Sequence, residues 1–516
     1  MDTNSKTMRL IVIITGLLLS TITYGQTSLN EIGLEAGKYK VGFKHYTVSD
    51  STRNYRIHNE YNNQLIERPI SISVWYPAKI ENSNSEQLTV LNYVEMFKEE
   101  EEWKNLPDYF LMDWFQHLPN TPQNKAHLSE RVNAFSNPTF SDGNFPVVVY
   151  APSYQASSIE NFALFEYLAS NGFVVISSPS RGTETRWLEG ATTKDMETQS
   201  RDVEFLLNEI YNYKNIDSEK VALMGFSFGG LSNAITVMKN KNISAVVSLD
   251  GAERYNYPVL EKSPYFDLDK FAIPYIHFAQ KEIPKEVLTT DKIPEELNYN
   301  FKLYDFLKYS NIYRYRFHDL THSYFSSFGV LFADRDKRQD KSDEKIMASY
   351  NLLCQHTLQF LNAILKNNEK AIAFIENKPV SNGFSETLIS KQTKNALQRD
   401  FTYKDFNDLA FKQDYQDLIP LYKKTIVNHP NLELQEGMLN MLGLRLSFNP
   451  KKKEQGYNVI LLALHIYPKS GNLYDSLAEA YFYNKDYQKA ILNYKKSLEL
   501  NPKNQNAIDR LEQLKE

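Results

Sequence analysis

The sequence predicts an α/β domain, a mostly parallel sheet flanked by helices, followed by an all-α domain of helical repeats. Three observations carry that prediction. Short apolar runs at 146–150 and 173–176 alternate with helical stretches, the mark of central parallel strands covered on both faces. The run 221–224 (Val-Ala-Leu-Met) leads into Gly225-Phe226-Ser227-Phe228-Gly229, a serine set on a sharp strand-to-helix turn. Beyond residue 401 one helical pattern returns at an offset of 72 residues.

Length and composition set the frame. A chain of 516 residues implies two or more domains, and 42% hydrophobic with 13% aromatic residues supplies a substantial core. The net charge is −5 with both signs interspersed, which argues against nucleic acid as the main partner, since phosphate binding needs a concentrated basic surface. The single cysteine, Cys354, permits no intrachain disulfide and reads as a buried apolar side chain on a helix.

Taken in order, residues 1–25 read as a secretory signal peptide. Lys6 and Arg9 precede an apolar run at 10–22, too short to span a bilayer comfortably, and Gly25 is a small residue at the cut-site position. A periplasmic or secreted protein with no transmembrane segment in its mature chain is expected. Residues 38–48 and 69–77 alternate polar and apolar and read as antiparallel strands. The strand at 146–150, a helix at 159–169, the strand at 173–176, a helix at 201–213 and a turn at 215–218 lead to the elbow strand. A helix at 231–238, strands at 245–249, 273–278 and 313–317, and a long helix at 343–365 follow. Strands alternating with helices after two edge strands give the α/β-hydrolase architecture. Residues 91–141 interrupt it with Phe97, Trp103, Tyr109, Phe110, Trp114 and Phe115. That segment reads either as a cap forming an apolar wall of a substrate pocket or as a packed surface excursion. The hydrolase domain is thus expected over 26–378, with a connector at 379–400.

The remainder, 401–516, is helical. Asp, Tyr, Gln, Ile, Tyr, Lys, Lys and Pro recur between 412–430 and 484–502, and Pro430, Pro468 and Pro502 close helices at spacings of 38 and 34 residues. This resembles tetratricopeptide repeats, with Tyr474, Leu477, Ala478, Tyr481, Ala490, Tyr494 and Pro502 at signature positions of the last unit and 504–515 as a capping helix. The resemblance implies a surface for a protein or peptide partner. The array also fits a simple brace for the first domain.

A serine hydroxyl needs a base, normally a histidine oriented by a carboxylate, and in this fold the chain order is Ser, acid, His. Ser227 is the candidate nucleophile. Asp250, which ends the strand after the elbow strand, is the first choice of acid, and Glu282, after the next strand, is the rival. Of the two histidines after the last strand, His322 sits in a loop with the freedom a base needs, whereas His318 reads as a strand-end side chain. The backbone amides of Phe228 and Tyr154 are the candidate oxyanion donors.

The segments Phe-Pro-Val-Val-Val-Tyr150, Ser178-Pro-Ser-Arg-Gly-Thr183, the elbow, Val-Val-Ser-Leu-Asp250-Gly and Thr-His322-Ser-Tyr-Phe are similar to lipoprotein-associated platelet-activating-factor acetylhydrolases and related dienelactone-hydrolase-like esterases. The resemblance spans about 38–365. It implies an acyl-ester hydrolase for small-molecule or phospholipid-type esters, free of metal and cofactor, with Ser227, Asp250 and His322 catalytic and Tyr154 and Phe228 at the oxyanion. Where that family usually has His-Gly, this chain has Pro152-Ser153.

Overall fold

In the computed structural model, residues 28–515 are described, apart from 60–61, 81–84 and 115–117. The expected signal peptide at 1–25 and Phe115 lie outside the described residues. The chain folds as two units that divide at Leu397 and Gln398.

The first unit is built on one mixed sheet. Its strands are β1 (Lys40–Asn59), β2 (Asn62–Lys79), β3 (Gln87–Thr89), β4 (Arg131–Ser136), β5 (Thr139–Phe140), β6 (Phe145–Ala151), β7 (Val174–Ser177), β8 (Ile216–Phe226), β9 (Ala245–Leu249), β10 (Tyr275–Ala279), β11 (Ile312–Phe317) and β12 (Ile389–Lys394). They lie in the order β12-β11-β10-β9-β8-β6-β7-β2-β1-β4-β3, with β5 on β2. The six strands from β11 to β7 are parallel, and β2 and β12 flank them antiparallel.

Both faces of the central strands are buried, so their residues divide by parity. Val148, Tyr150, Ala222 and Met224 face one core with helices α1 (Phe162–Ser170) and the long α4 (Asp343–Lys366). Val147, Val149, Val221 and Leu223 face the other, with α2 (Thr193–Glu209) and α3 (Phe228–Lys239). Thr192 starts α2 by accepting from the Asp195 amide, while the Asp195 side chain reaches back to the Thr192 amide, so two orphan donors are satisfied reciprocally. Cys354 is buried on α4, and burial pushes its thiol pKa up.

Four expectations need correction. The turn at 215–218 is the start of β8. Pro146 and Val147 pair with Asp217 and Val221, and the intervening residues are absorbed as a bulge. The elbow helix begins at Phe228 rather than 231. The insertion at 91–141 is not wholly outside the sheet, because β4 pairs parallel with β1 and antiparallel with β3. The connector at 379–400 contains β12, which pairs with β11 from Ile312↔Lys394 to Phe317↔Ile389. Its composition hides it: an edge strand buries only one side, and here Ile389 alone is fully buried.

The second unit is all helix: α5 (Tyr403–Lys412), α6 (Leu418–Asn428), α7 (Glu436–Ser447), α8 (Lys453–Ile466), α9 (Gly471–Tyr483), α10 (Tyr487–Leu500) and α11 (Gln505–Gln513). Helices α6, α8 and α10 each end two residues before Pro430, Pro468 and Pro502. Leu477, Ala478, Ala490 and Tyr494 of the last pair are buried. The middle pair lacks the signature in α7 yet packs as closely, because a Cβ on Gly443 would lie 2.4 Å from Ile460 Cγ1.

Candidate functional site

Ser227 stands between β8 and α3 with φ 51° and ψ −116°, a conformation that L-residues rarely adopt. The surrounding backbone holds it there. Its amide donates to Leu249 O (3.2 Å), and its carbonyl accepts from Gly230 N (3.0 Å) and Ala252 N (2.6 Å). Side chains at the flanking glycines are excluded. A Cβ on Gly225 would lie 2.5 Å from Gly229 C, and one on Gly229 would lie 1.9 Å from Ala151 O. Gly230 has a further reason beyond helix packing: a Cβ there would meet the Glu253 carboxylate at 2.4 Å.

The strand order places the other two groups above the same sheet edge. His322 opens a short helical turn, His322–Phe325, after β11. Its Nε2 lies 3.0 Å from Ser227 Oγ and its Nδ1 2.6 Å from Asp250 Oδ2. Asp250 follows β9, itself at φ 42°. Its side chain is wholly buried, whereas that of His322 is 40% exposed. Tyr255 Oη donates to both Asp250 oxygens (2.9 and 3.0 Å), and the Gln280 amide donates to Oδ1 (3.1 Å). Gln280 also accepts from the His322 amide (3.1 Å) and donates to Tyr255 Oη (2.8 Å). Burial alone would raise the Asp250 pKa. The hydrogen bond and charge of His322, with Arg254 beyond, outweigh burial and hold it below the usual carboxylate value.

The structure brings Ser227, His322 and Asp250 together and leaves Glu282 out. Glu282 is 58% exposed and pairs with Arg316 at 2.7 Å. His318 faces β12, with Nε2 3.1 Å from Ser390 Oγ. Phe228 is the first residue of α3, so its amide has no acceptor within the helix. Tyr154 lies in the loop after β6, and its ring meets that of Phe228 edge-on at 5.8 Å.

A pocket of about 330 Å³ opens over Ser227 and His322. Phe97, Phe226, Phe328 and Ala333 supply its apolar lining, and Tyr154, Gln155 and Glu160 face it. Among the described residues the insertion therefore contributes one wall residue, Phe97, which stacks on Phe328 at 5.7 Å. Tyr109 and Phe110 instead pair with each other and are exposed. Glu160 is buried; burial pushes its pKa up to about 7, against hydrogen bonds from Ser153 and Tyr150 and the charge of His322. Among the described residues no group of three or more His, Cys, Asp or Glu is disposed to hold a metal ion, and no helix is long and apolar enough to cross a membrane.

Tyr255, Gln280 and Glu160 escape sequence reasoning. Gln280 was within reach of it, since it ends β10 as Asp250 ends the neighbouring β9. Tyr255 and Glu160 carry no local signal.

The model of the prolyl oligopeptidase family matches residues 160–254, which hold the elbow and Asp250, and that of the tetratricopeptide repeat matches 476–504. No curated protein sequence matches the chain. Among solved structures it is similar to a ferulic acid esterase from Streptomyces cinnamoneus, at 14% identity and TM-score 0.47, over 70% of this chain and 98% of that one.

Proposed function

We propose that this protein is a serine hydrolase that cleaves carboxylic acyl esters, of the short-chain or phospholipid type. The observation that carries the reading is the line Ser227 Oγ, His322 Nε2, His322 Nδ1, Asp250 Oδ2, with contacts of 3.0 and 2.6 Å. In this reading His322 takes the Ser227 proton as Oγ attacks the acyl carbon. Asp250 fixes the tautomer with Nδ1–H and offsets the imidazolium charge. The amides of Phe228 and Tyr154 receive the negative oxygen. His322 then returns the proton to the leaving alcohol, and water, activated by the same histidine, releases the acid. The apolar lining from Phe97, Phe226 and Phe328 suits the acyl chain. The basic-then-apolar first 25 residues support export to the periplasm or beyond. The repeat unit would serve a protein or peptide partner.

A second reading, peptide hydrolysis by the same three residues, is favoured by the prolyl oligopeptidase match over 160–254. Labelling with a fluorophosphonate probe tests the shared chemistry, and paired acyl esters and amides separate the two readings. Label that is lost in Ser227→Ala is the expected result. A folded protein that takes no label would sink both in favour of a non-catalytic scaffold.

A further inference from the structure

The loop 152–158 carries Tyr154 and lines the pocket, and its own polar groups are held from below. Glu160 is the clasp on one side. Its Oε2 accepts from the Ser153 amide (2.9 Å) and from Tyr150 Oη (3.0 Å), and its Oε1 accepts from Ser153 Oγ. Glu100, from the insertion, is the clasp on the other. It accepts from Ser157 Oγ, Ser158 Oγ and the Ser158 amide. Gln199 Nε2 donates to Pro152 O at 2.8 Å, so the residue before Ser153 is pinned as well. Tyr154 stands directly after Ser153, and Gln155 takes φ 57°. The backbone at Tyr154 is therefore aimed by side chains and not by a regular element.

We infer that Glu160 is a positioning residue of the proposed hydrolase, holding Ser153 so that the Tyr154 amide points at the carbonyl oxygen under attack. This inference rests on the serine-hydrolase reading. It gives Ser153 a task at the place where the chain has Pro152-Ser153. A serine offers two donors, N–H and O–H, and a carboxylate with two free oxygens can take both along with Tyr150. A carboxamide keeps a single acceptor oxygen, and its nitrogen meets Ser153 Oγ only as a donor, so the hydroxyl must turn and the clasp is altered.

Three variants test it in the full chain, with Tm, kcat, KM and the rate of fluorophosphonate labelling measured for each. Glu160→Gln is expected to lower kcat and labelling rate together by roughly 10- to 100-fold, with KM changed less than about threefold, since an oxyanion donor acts on the transition state. Ser153→Ala, which keeps the amide, is expected to lose only a few-fold. Glu166→Gln is the matched control. Glu166 is a second buried carboxyl on α1, bonded to Tyr93 Oη and the amides of Asn133 and Ala134, outside the pocket. It is expected to move Tm and leave kcat in place. An unchanged kcat in Glu160→Gln, or an equal loss in Glu160→Gln and Glu166→Gln, overturns the inference while leaving the hydrolase reading intact. A wild-type protein that takes no label overturns both.

Discussion

Asp250 is wholly buried, and its charge is met by Tyr255, the Gln280 amide and His322 together. Each donor favours the ionised carboxylate over the neutral acid. Asp250→Asn is expected to reduce kcat on a chromogenic ester by about 10²- to 10⁴-fold, because an amide can hold the wrong imidazole tautomer. Glu282→Gln, at the exposed Arg316 pair, should leave kcat within about twofold. Tyr255→Phe removes one donor of three, and a loss of roughly 3- to 10-fold is expected. Glu166 carries a different kind of prediction. Its pKa is pushed by burial from 4.5 up to about 7, against the Tyr93 and backbone hydrogen bonds. A carboxyl raised in the folded state adds stability that is full below 4.5 and fades as pH rises through about 7. The fading term is on the order of 3 kcal/mol. Glu160 follows the same direction. Tm measured from pH 5 to 8 should fall for the wild type and fall less for Glu166→Gln; parallel curves would remove Glu166 from the account.

The elbow joins β8 to α3 through contacts that tolerate no added atom. A methyl at Gly229 would overlap Ala151 O on the neighbouring strand, which is backbone and cannot rotate away. Gly229→Ala should cost about 3 kcal/mol or more and abolish labelling, read by Tm and by probe uptake. Such elements were legible because their chemistry is local. The strand at 245–249 is met residue for residue, and the glycine spacing around Ser227 announces the turn before any contact is known. Asp250 and His322 were legible for a related reason, since chain order and strand ends restrict the choice. What stayed hidden depends on partners that only the folded chain supplies. β12 is Ile-Ser-Lys-Gln-Thr-Lys, polar because one side has no neighbour. Glu160 looks like any acidic residue ahead of a helix, and only the folded loop that turns Ser153 and Tyr150 onto its carboxylate gives it a task.

The two units divide at Leu397 and Gln398, after β12 and not before it. A chain ending at residue 397 keeps the complete sheet. One ending at 378 strips six paired residues from β11 and removes the buried Ile389. The shorter chain should melt about 5 °C or more below the longer, by circular dichroism, and lose fluorophosphonate labelling first on heating. Equal melting would show β12 to be dispensable. Lys391 on β12 donates to the carbonyls of Glu376 and Asn377, the last of these just beyond the helix Glu369–Glu376, so the strand also neutralises a helix end. The polarity that concealed this strand has its own use. The end strand at one margin of the sheet is β12, six residues long with only Ile389 fully buried, and the end strand at the other is β3, three residues long. Neither of these end strands offers the long, flat, apolar template on which strands from other molecules accumulate into fibrils.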